Sequence, residues 1–421
     1  MTKIIIKTNK GFIAIFATIL VLITSLIIIT GVASIVFSNI QAMRNNIYSA
    51  KAYYVAEAGI EDTLLRLVKG MNLPSSNSLT IEGGTAIIEI SESIGGSRTI
   101  ISKGDFLNRI RKIRVIYIIT TDHVSFYYGA QVGDGGMMME NNSRIKGNVF
   151  SNGSIIGVGG KGYIDYSVKV ATIGNRIEGL VIGQDAYTHN CKDSNIAGIL
   201  YFSGGGQENC NVSQGIKDHP VQETASLPIS DEQIDKWKSD ALEGGIFSNN
   251  YVVSGGAIDY LGPRKIEGNL TLQNNSTLIL TGTVWVTGNI ILNNESLLKL
   301  DNGYGYASGL IIADGKIDVI NGTNIQGSGQ EGSYTMLIGT SSLLDPSNPA
   351  IDVKNNAEGA IFFASHGLIR LRNNMQVREV AGYKLYLDNN AIVEYETGLE
   401  DVGFSSGPGG SWKLSGWQEI E

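Results

Sequence analysis

The feature that most constrains this chain is a long uncharged stretch near its N-terminus, residues 11–40. Its central part, residues 12–37, consists mainly of Ile, Leu, Val, Phe and Ala. Because an α-helix rises about 1.5 Å per residue, the stretch exceeds the roughly 20 residues that cross a hydrocarbon core. It is also longer than the apolar region of a cleaved signal peptide. The sequence therefore predicts one membrane-spanning helix.

The charges on either side of this stretch predict its orientation. Lys3, Lys7 and Lys10 precede it without an acidic residue, whereas Arg44 and Lys51 follow it among acidic residues. Positive charge near a membrane span is retained on the cytoplasmic side. We therefore expect a single-pass membrane protein with a cytoplasmic N-terminus and an extracytoplasmic head.

The helical pattern continues beyond the uncharged stretch, which predicts a transmembrane and stalk helix over residues 12–70. Apolar residues recur there at helical spacing, at Ile47, Ala50, Tyr54, Ala58, Leu65 and Val68. Glu57 and Glu61 fall within this apolar stripe, where a buried carboxylate needs a polar partner. Two interpretations follow: the carboxylates reach solvent at the margin of the stripe, or they pair with another subunit.

Four features stand in order at the N-terminus: a short basic leader, the tripeptide Lys10-Gly11-Phe12, the uncharged helix and the segment AYYVAEAGI at 52–60. Together they resemble the N-terminal region of type IV pilins, most of all that of PilX-type minor pilins. The resemblance implies that a prepilin peptidase removes a leader of residues 1–11 by cutting between Gly11 and Phe12. It also implies other pilin subunits as partners and a place in a cell-surface filament.

One position departs from the pilin pattern. Major pilins carry a glutamate at the fifth mature position, which is Phe16 in this sequence. In the family this glutamate is thought to neutralise the terminal amine of a neighbouring subunit, so its absence implies a minor pilin or pseudopilin at or near a filament tip. Phe16, Glu57 and Glu61 are therefore the expected assembly residues. A plain single-pass anchor that joins no filament is the alternative.

The rest of the chain is predicted to be mainly β. Its 53 glycines and 7 prolines, in a chain that is 43% hydrophobic, favour many tight turns between short strands. Residues 71–129 are expected to form a small pilin-like sheet. Its strands are expected over residues 85–91, 98–102 and 113–120. A basic cluster from Arg109 to Arg114 could contact DNA or an acidic glycan, or form a solvated strand face. The net charge of −8 argues against wrapping of nucleic acid by the whole molecule.

Residues 130–421 carry an internal repeat that is rich in Gly and Asn. Residues 268–280 align with residues 288–300 at an offset of 20, and a shorter motif recurs at residues 144–149, 176–181 and 265–270. A rung of about 20 residues cannot bury its apolar side alone, but stacked rungs form a continuous core. Asn tolerates left-handed backbone, so Asn-Asn pairs mark the expected corners. The pairs begin at residues 141, 274, 293, 355, 373 and 389. The repeat predicts a parallel β-helix, with an irregular β-sandwich as the alternative.

Two insertions interrupt the repeat. The capping box SDEQ begins a helix over residues 230–243, which is expected to pack on the solenoid. Its packing face consists of Ile234, Trp237 and Ala241. The other insertion holds Cys191 and Cys210, which can form a disulfide outside the membrane. The alternative, a zinc site completed by His189 and His219, fits no common zinc spacing.

The sequence offers little chemistry beyond this framework. Asp301, Asp314 and Asp318 are the candidate carboxylates of a glycan-active β-helix enzyme, but solvated turn residues of this kind are ordinary. Neither a phosphate-binding Gly-Lys-Ser/Thr motif nor a nucleophile elbow occurs. We therefore assign no catalytic residue, metal or cofactor, and expect a structural filament subunit. The alternatives are a membrane-anchored surface adhesin and a glycan-active β-helix protein.

Overall fold

A single long helix precedes all the β-structure of this protein. The computed structural model describes residues 10–68, 74–91, 97–119, 121–354, 360–396, 399–400, 402–405 and 412–420. The helix α1 (Lys10–Val68) has 59 residues and is about 90 Å long at about 1.5 Å per residue. All side chains from residue 12 to residue 47 are exposed. The hydroxyls of Thr18, Thr24 and Thr30 donate to backbone carbonyls of the same helix, which satisfies polar groups that lipid could not.

A five-stranded antiparallel sheet packs against the outer half of α1. In order across the sheet its strands are β1 (Ser76–Ile81), β2 (Gly84–Ile90), β3 (Ser97–Phe106), β4 (Arg109–Ile119) and β42 (Trp412–Ile420). Residues 412–420 of the expected repeat domain, 130–421, therefore belong to this small sheet. Ile60 of α1 meets Ile88, Ile100 and Ile113 of the sheet in a fully buried core. Burying one such side chain contributes about 1.5–3 kcal/mol.

The apolar stripe predicted for the stalk is not the face that α1 packs on this sheet. Ile47, Tyr54 and Leu65 of that stripe are 52%, 65% and 55% exposed. The buried face combines large apolar residues such as Ile60 with small ones, Ala52, Ala56 and Gly59. A Cβ atom added at Gly104 of β3 would lie 2.1 Å from the carbonyl oxygen of Ala52. Close backbone approach, rather than hydrophobicity alone, therefore selects the packed face.

The head is a solenoid of parallel strands arranged in three faces. Face A contains β9 (Ile155–Val158), β12 (Arg176–Glu178), β15 (Asn190–Lys192), β18 (Gln207–Glu208), β22 (Tyr251–Val253), β25 (Leu270–Leu272), β28 (Ile290–Leu292), β31 (Ile317–Val319) and β36 (Ile351–Val353). Face B contains β8 (Val149–Ser151), β11 (Val168–Val170), β14 (Ala186–Thr188), β17 (Leu200–Phe202), β20 (Ile216–Asp218), β21 (Ile246–Phe247), β24 (Arg264–Ile266), β27 (Val284–Val286), β30 (Gly309–Ala313) and β33 (Thr335–Gly339). The parallel pairing confirms the predicted β-helix and not the β-sandwich.

The third face and three long strands complete the solenoid. Face C contains β7 (Arg144–Lys146), β10 (Gly162–Ile164), β13 (Leu180–Ile182), β16 (Asn195–Ile196), β19 (Asn211–Val212), β23 (Ile258–Leu261), β26 (Thr277–Leu280), β29 (Leu297–Leu300), β32 (Asn324–Gln326), β38 (Gln376–Val377) and β40 (Ile392–Glu394). The strands that continue from face B into face A are β6 (Ala130–Glu140), β37 (Ile361–Leu371) and β39 (Glu379–Leu387). Smaller elements are β5 (Thr121–Val124), which pairs with β41 (Val402–Ser405), the hairpin of β34 (Leu344–Asp345) and β35 (Asn348–Pro349), and a 3-10 turn at Asn302–Tyr304.

The chain enters this solenoid in the middle and not at an end. From β6 it winds outward to β20, returns along the outside through residues 219–245, and re-enters at the opposite end with β21. It then winds back until β39 pairs with β6 and β40 pairs with β7. Two half-solenoids thus meet in one continuous structure, and both connections to the rest of the molecule leave at their junction.

Adjacent rungs follow the predicted repeat. Leu270 lies opposite Ile290, which is the expected offset of 20 residues. In each three-residue strand of this kind the outer two side chains point into the core and the middle one points out. Corner asparagines adopt left-handed backbone at residues 142, 274, 275, 294, 374 and 390, as predicted. Asn294 Nδ2 also donates to Asn274 Oδ1 at 3.0 Å, which links successive corners. The pair at 355 lies outside the described residues.

Part of the outside of face B, at β24 and β27, is covered by the helix of the return segment, α2 (Asp231–Glu243). The hydroxyl of Ser230 accepts from the Gln233 backbone amide, so Ser230 is the N-cap of the helix as the sequence predicts. The predicted packing residues are all buried, and Trp237 contacts Phe404 with ring centroids 6.0 Å apart. Lys238 Nζ also lies 2.7 Å from an Asp314 carboxylate oxygen. A second hydrophobic core therefore lies outside the solenoid, beneath α2.

Candidate functional site

The uncharged part of α1 is the feature with the clearest functional implication. Within the described residues it is the one helix long and apolar enough to cross a membrane, and it fits a single-pass membrane anchor. The side chains of Phe12 and Phe16 are 71% and 61% exposed, and the helix continues unbroken through Lys10 and Gly11. The predicted cut between Gly11 and Phe12 is not tested by this geometry.

Glu57 and Glu61, the other predicted assembly residues, lie on the outward side of the stalk. At about 100° per residue, Glu61 and Tyr54 lie on the side of the helix opposite the packed face. Glu57 lies between that side and the packed face. Accordingly Glu61 is exposed and Glu57 is half-buried. The apolar stripe that contains them is therefore free of the protein's own sheet and available to another molecule.

The basic cluster of β4 is divided between different contacts. An Arg109 Nη atom donates to Asn45 Oδ1 at 2.7 Å, and Arg111 Nε donates to Ser49 Oγ at 2.7 Å. Arg111 also forms an ion pair with Glu419 at 2.9 Å. These bonds tie the β3–β4 hairpin to α1 just outside the uncharged stretch. The sequence allows either a ligand-binding cluster or a solvated strand face. The structure shows a third arrangement, in which Arg109 and Arg111 hold the hairpin against α1.

The two cysteines form a disulfide, as the sequence predicts. Cys191 in β15 and Cys210 after β18 join neighbouring rungs, with their Cα atoms 6.3 Å apart. His219, a ligand in the zinc alternative, instead contacts the ring of Tyr187 with centroids 5.1 Å apart. Among the described residues no group of three or more His, Cys, Asp or Glu side chains could hold a metal ion.

An outward ladder on face B near this disulfide was not recognised in the sequence. Lys169, Tyr187, Tyr201 and Lys217 lie opposite one another on successive rungs. The two rings stack with centroids 4.3 Å apart and planes 5° apart. The lysine ammonium groups lie 5.3 and 5.9 Å from the neighbouring ring centroids. Both outer ring faces are thus occupied by cations, so the ladder stabilises the rungs and presents no open aromatic face for a sugar. A search of the sequence for one fixed rung length would not find this ladder, because the rungs that carry it differ in length.

The three candidate carboxylates have structural partners. Asp314 accepts from Trp285 Nε1 at 2.8 Å and pairs with Lys238 of α2. Asp318 on face A lies 3.7 Å from Lys354 Nζ. Asp301 accepts from the backbone amide of Gly303 at the start of the 3-10 turn. Each carboxylate therefore stabilises a different local element.

Comparisons with solved structures find distant matches, among them a pilin and an ice binding protein. No family model and no curated protein matches the chain. A solved structure of the competence-associated pilin ComZ from Thermus thermophilus has a TM-score of 0.30 and 10% identity, over 89% of this chain and 97% of that one. An ice binding protein from an Antarctic bacterium Flavobacteriaceae has a TM-score of 0.15 and 8% identity, over 64% and 81% of the two chains. TM-scores of this size establish neither a shared fold nor a shared function.

Proposed function

We propose that this chain is a minor pilin or pseudopilin, a structural subunit of a type IV pilus-like filament. Its N-terminus is cytoplasmic before assembly, a prepilin peptidase cuts after Gly11, and the β-helical head is displayed outside the cell. The observation that carries the proposal is the division of α1 into two parts. The outer part packs on the small sheet, whereas residues 12–47 are exposed along their whole length.

The exposed part of α1 needs an apolar environment. Its large side chains include Leu22, Leu26 and Ile29, which are 63–67% exposed. Soluble proteins rarely expose contiguous apolar patches larger than a few hundred Å². Lipid can cover this surface before assembly and the helices of other subunits can cover it afterwards. A helix that serves both states must be apolar on every side, as this one is.

The stalk outside the membrane supports the same proposal. Its outward stripe contains Tyr54 and Leu65 together with Glu57 and Glu61. Neighbouring helices in a filament would bury this stripe and would have to supply polar partners for both carboxylates. A plain membrane anchor would leave the stripe in water.

The test is to recover filaments from cells that carry this chain. Filaments sheared from the surface and purified away from membranes should contain it, at low abundance and with labelling concentrated at filament ends. Membrane fractions from the same cells serve as the control for total protein. Recovery of the chain in membranes alone, with filaments that lack it, would contradict the proposal.

A further inference from the structure

The β3–β4 hairpin runs along α1 toward the uncharged stretch. Gly59 of the helix is level with Ser102 of β3, and Ala52 is level with Gly104. Further along, the rings of Phe106 and Tyr48 are 5.8 Å apart. Each step along β3 thus moves closer to the uncharged stretch, and the hairpin turn at residues 107–108 lies at its lower end.

The level of the hairpin tip is fixed by the bond from Arg109 to Asn45. Asn45 lies five residues beyond Ile40, the last residue of the uncharged stretch, which is about 7.5 Å along the helix axis. The polar headgroup region of a bilayer adds about 5–8 Å on each side of the hydrocarbon core. With Ile40 at the hydrocarbon boundary, the tip therefore lies at the headgroup layer when α1 spans the membrane.

The tip has the amphipathic composition that suits this layer. Leu107 and Ile110 are 60% and 49% exposed. Leu107 also has a φ of 49°, a left-handed conformation that β-turns normally assign to Gly, Asn or Asp. In water, Leu107 is unfavourable both because its apolar side chain is exposed and because its backbone is left-handed. Insertion of its side chain among lipids removes the cost of exposure.

The charges around the tip are opposite in sign to the charge of the whole chain. Five cations, Arg44, Lys51, Arg109, Arg111 and Lys112, lie at or just above the tip, with Asp105 and Glu419 as the acids beside them. The chain as a whole has a net charge of −8. Local positive charge at a membrane surface attracts anionic phospholipids.

We propose that the tip of the β3–β4 hairpin, residues 107–111, docks into the headgroup layer and binds anionic phospholipid. Leu107 inserts among the lipids while the arginines contact phosphate. The hairpin thereby holds the small sheet at a fixed height and angle on the membrane before assembly. This inference rests on the membrane anchor of the proposed function but not on filament assembly.

The test uses the full chain in lipid nanodiscs with one introduced cysteine. Both native cysteines are bonded to each other, so a new thiol is labelled selectively. A polarity-sensitive fluorophore at Leu107→Cys should be quenched by lipids that carry a quencher near the headgroup. Val36→Cys, within the span, is the positive control. Ile258→Cys, 66% exposed on the terminal rung of the solenoid, is the negative control.

The outcomes separate the hairpin from the anchor. If the label at position 36 is quenched and the label at position 107 behaves like the one at 258, docking is wrong and the anchor stands. If the label at position 36 is not quenched, both the anchor and the docking are wrong. Quenching at 107 should also increase when phosphatidylglycerol replaces neutral lipid, and Arg109→Gln should reduce the increase, because it removes one of the five cations around the tip. The control Arg114→Gln, higher on the same strand, should keep it; equal quenching in both lipids would contradict recognition of anionic headgroups.

Discussion

Glu379 is an isolated acid at the junction of the two half-solenoids. It begins β39, is fully buried, and neither of its carboxylate oxygens has a hydrogen-bond partner among the described residues. Burial raises the pKa of Glu379 well above its ordinary value. The folded protein therefore keeps this carboxyl protonated at pH values where the unfolded chain ionises it.

The sign of the resulting pH dependence follows from this raised pKa. A protonated Glu379 leaves the free energy of unfolding at its full value below about pH 4.3, the pKa of an unfolded glutamate. The free energy of unfolding then falls as the pH rises toward the pKa of Glu379 in the folded protein. Glu379→Gln should flatten this decline by about 1.4 kcal/mol for each unit of pKa difference. The measurement is the free energy of unfolding against pH in detergent, with exposed Glu61→Gln as the control. An unchanged slope in the Glu379→Gln variant would contradict the assignment.

At the scale of elements, α2 and α1 show what the sequence does and does not reveal. The start, the cap and the packed face of α2 follow from a local pattern, because its apolar residues at 234, 237 and 241 have one neighbouring surface to cover. In α1 the predicted apolar stripe faces outward, and the buried face depends on Gly104, a residue of another element. Periodicity identifies an amphipathic face but not which of two apolar environments will cover it.

The outward stripe of α1 leads to a prediction about assembly. Glu57→Leu should reduce incorporation into filaments, because loss of a partner across a buried contact costs about 3–5 kcal/mol. Phe16→Glu should have little effect or disturb placement, since a subunit at the tip has no neighbouring amine to neutralise. The measurement is the fraction of the chain in sheared filaments. Wild-type incorporation of Glu57→Leu, together with even labelling along filaments, would contradict both the pairing and the tip placement.

The Cys191–Cys210 disulfide should stabilise the terminal rungs of the first half-solenoid. A disulfide that closes a loop of this size contributes about 3 kcal/mol, and in a stacked repeat the effect is greatest on adjacent rungs. Replacing both cysteines with alanine should accelerate hydrogen exchange between residues 186 and 218, with residues 270–300 as the internal control. Alkylation of the native protein should find no free thiol. Equal exchange in both regions, or stoichiometric bound zinc, would contradict this role.

At the scale of the whole molecule, the repeat predicts stacked rungs but not their order. The offset of 20 aligns Leu270 with Ile290, because adjacent rungs share corner residues and length. The pairing of β6 with β39 joins segments far apart in the sequence, and no local pattern indicates it. The recurring motif shows the same limit: at 144–149, 176–181 and 265–270 it turns corners between three different pairs of faces. A corner sequence thus specifies a turn but not which two faces the turn connects.

The candidate site was predictable to a similar extent. The membrane anchor follows from composition alone, because an uncharged helix of this length has few other environments. The height of the β3–β4 hairpin depends on the bond between Arg109 and Asn45, which are 64 positions apart. The sequence marks Arg109 as basic but cannot show that it lies beside the span.

The most direct test of the account is the N-terminus of the mature protein. Edman sequencing or intact-mass analysis of the chain extracted from membranes and from filaments should give a chain that begins at Phe12. That result would agree with leader removal by a prepilin peptidase and entry into a pilus-like filament. A mature chain that begins at Met1 in both fractions would contradict the pilin proposal and leave a plain membrane anchor.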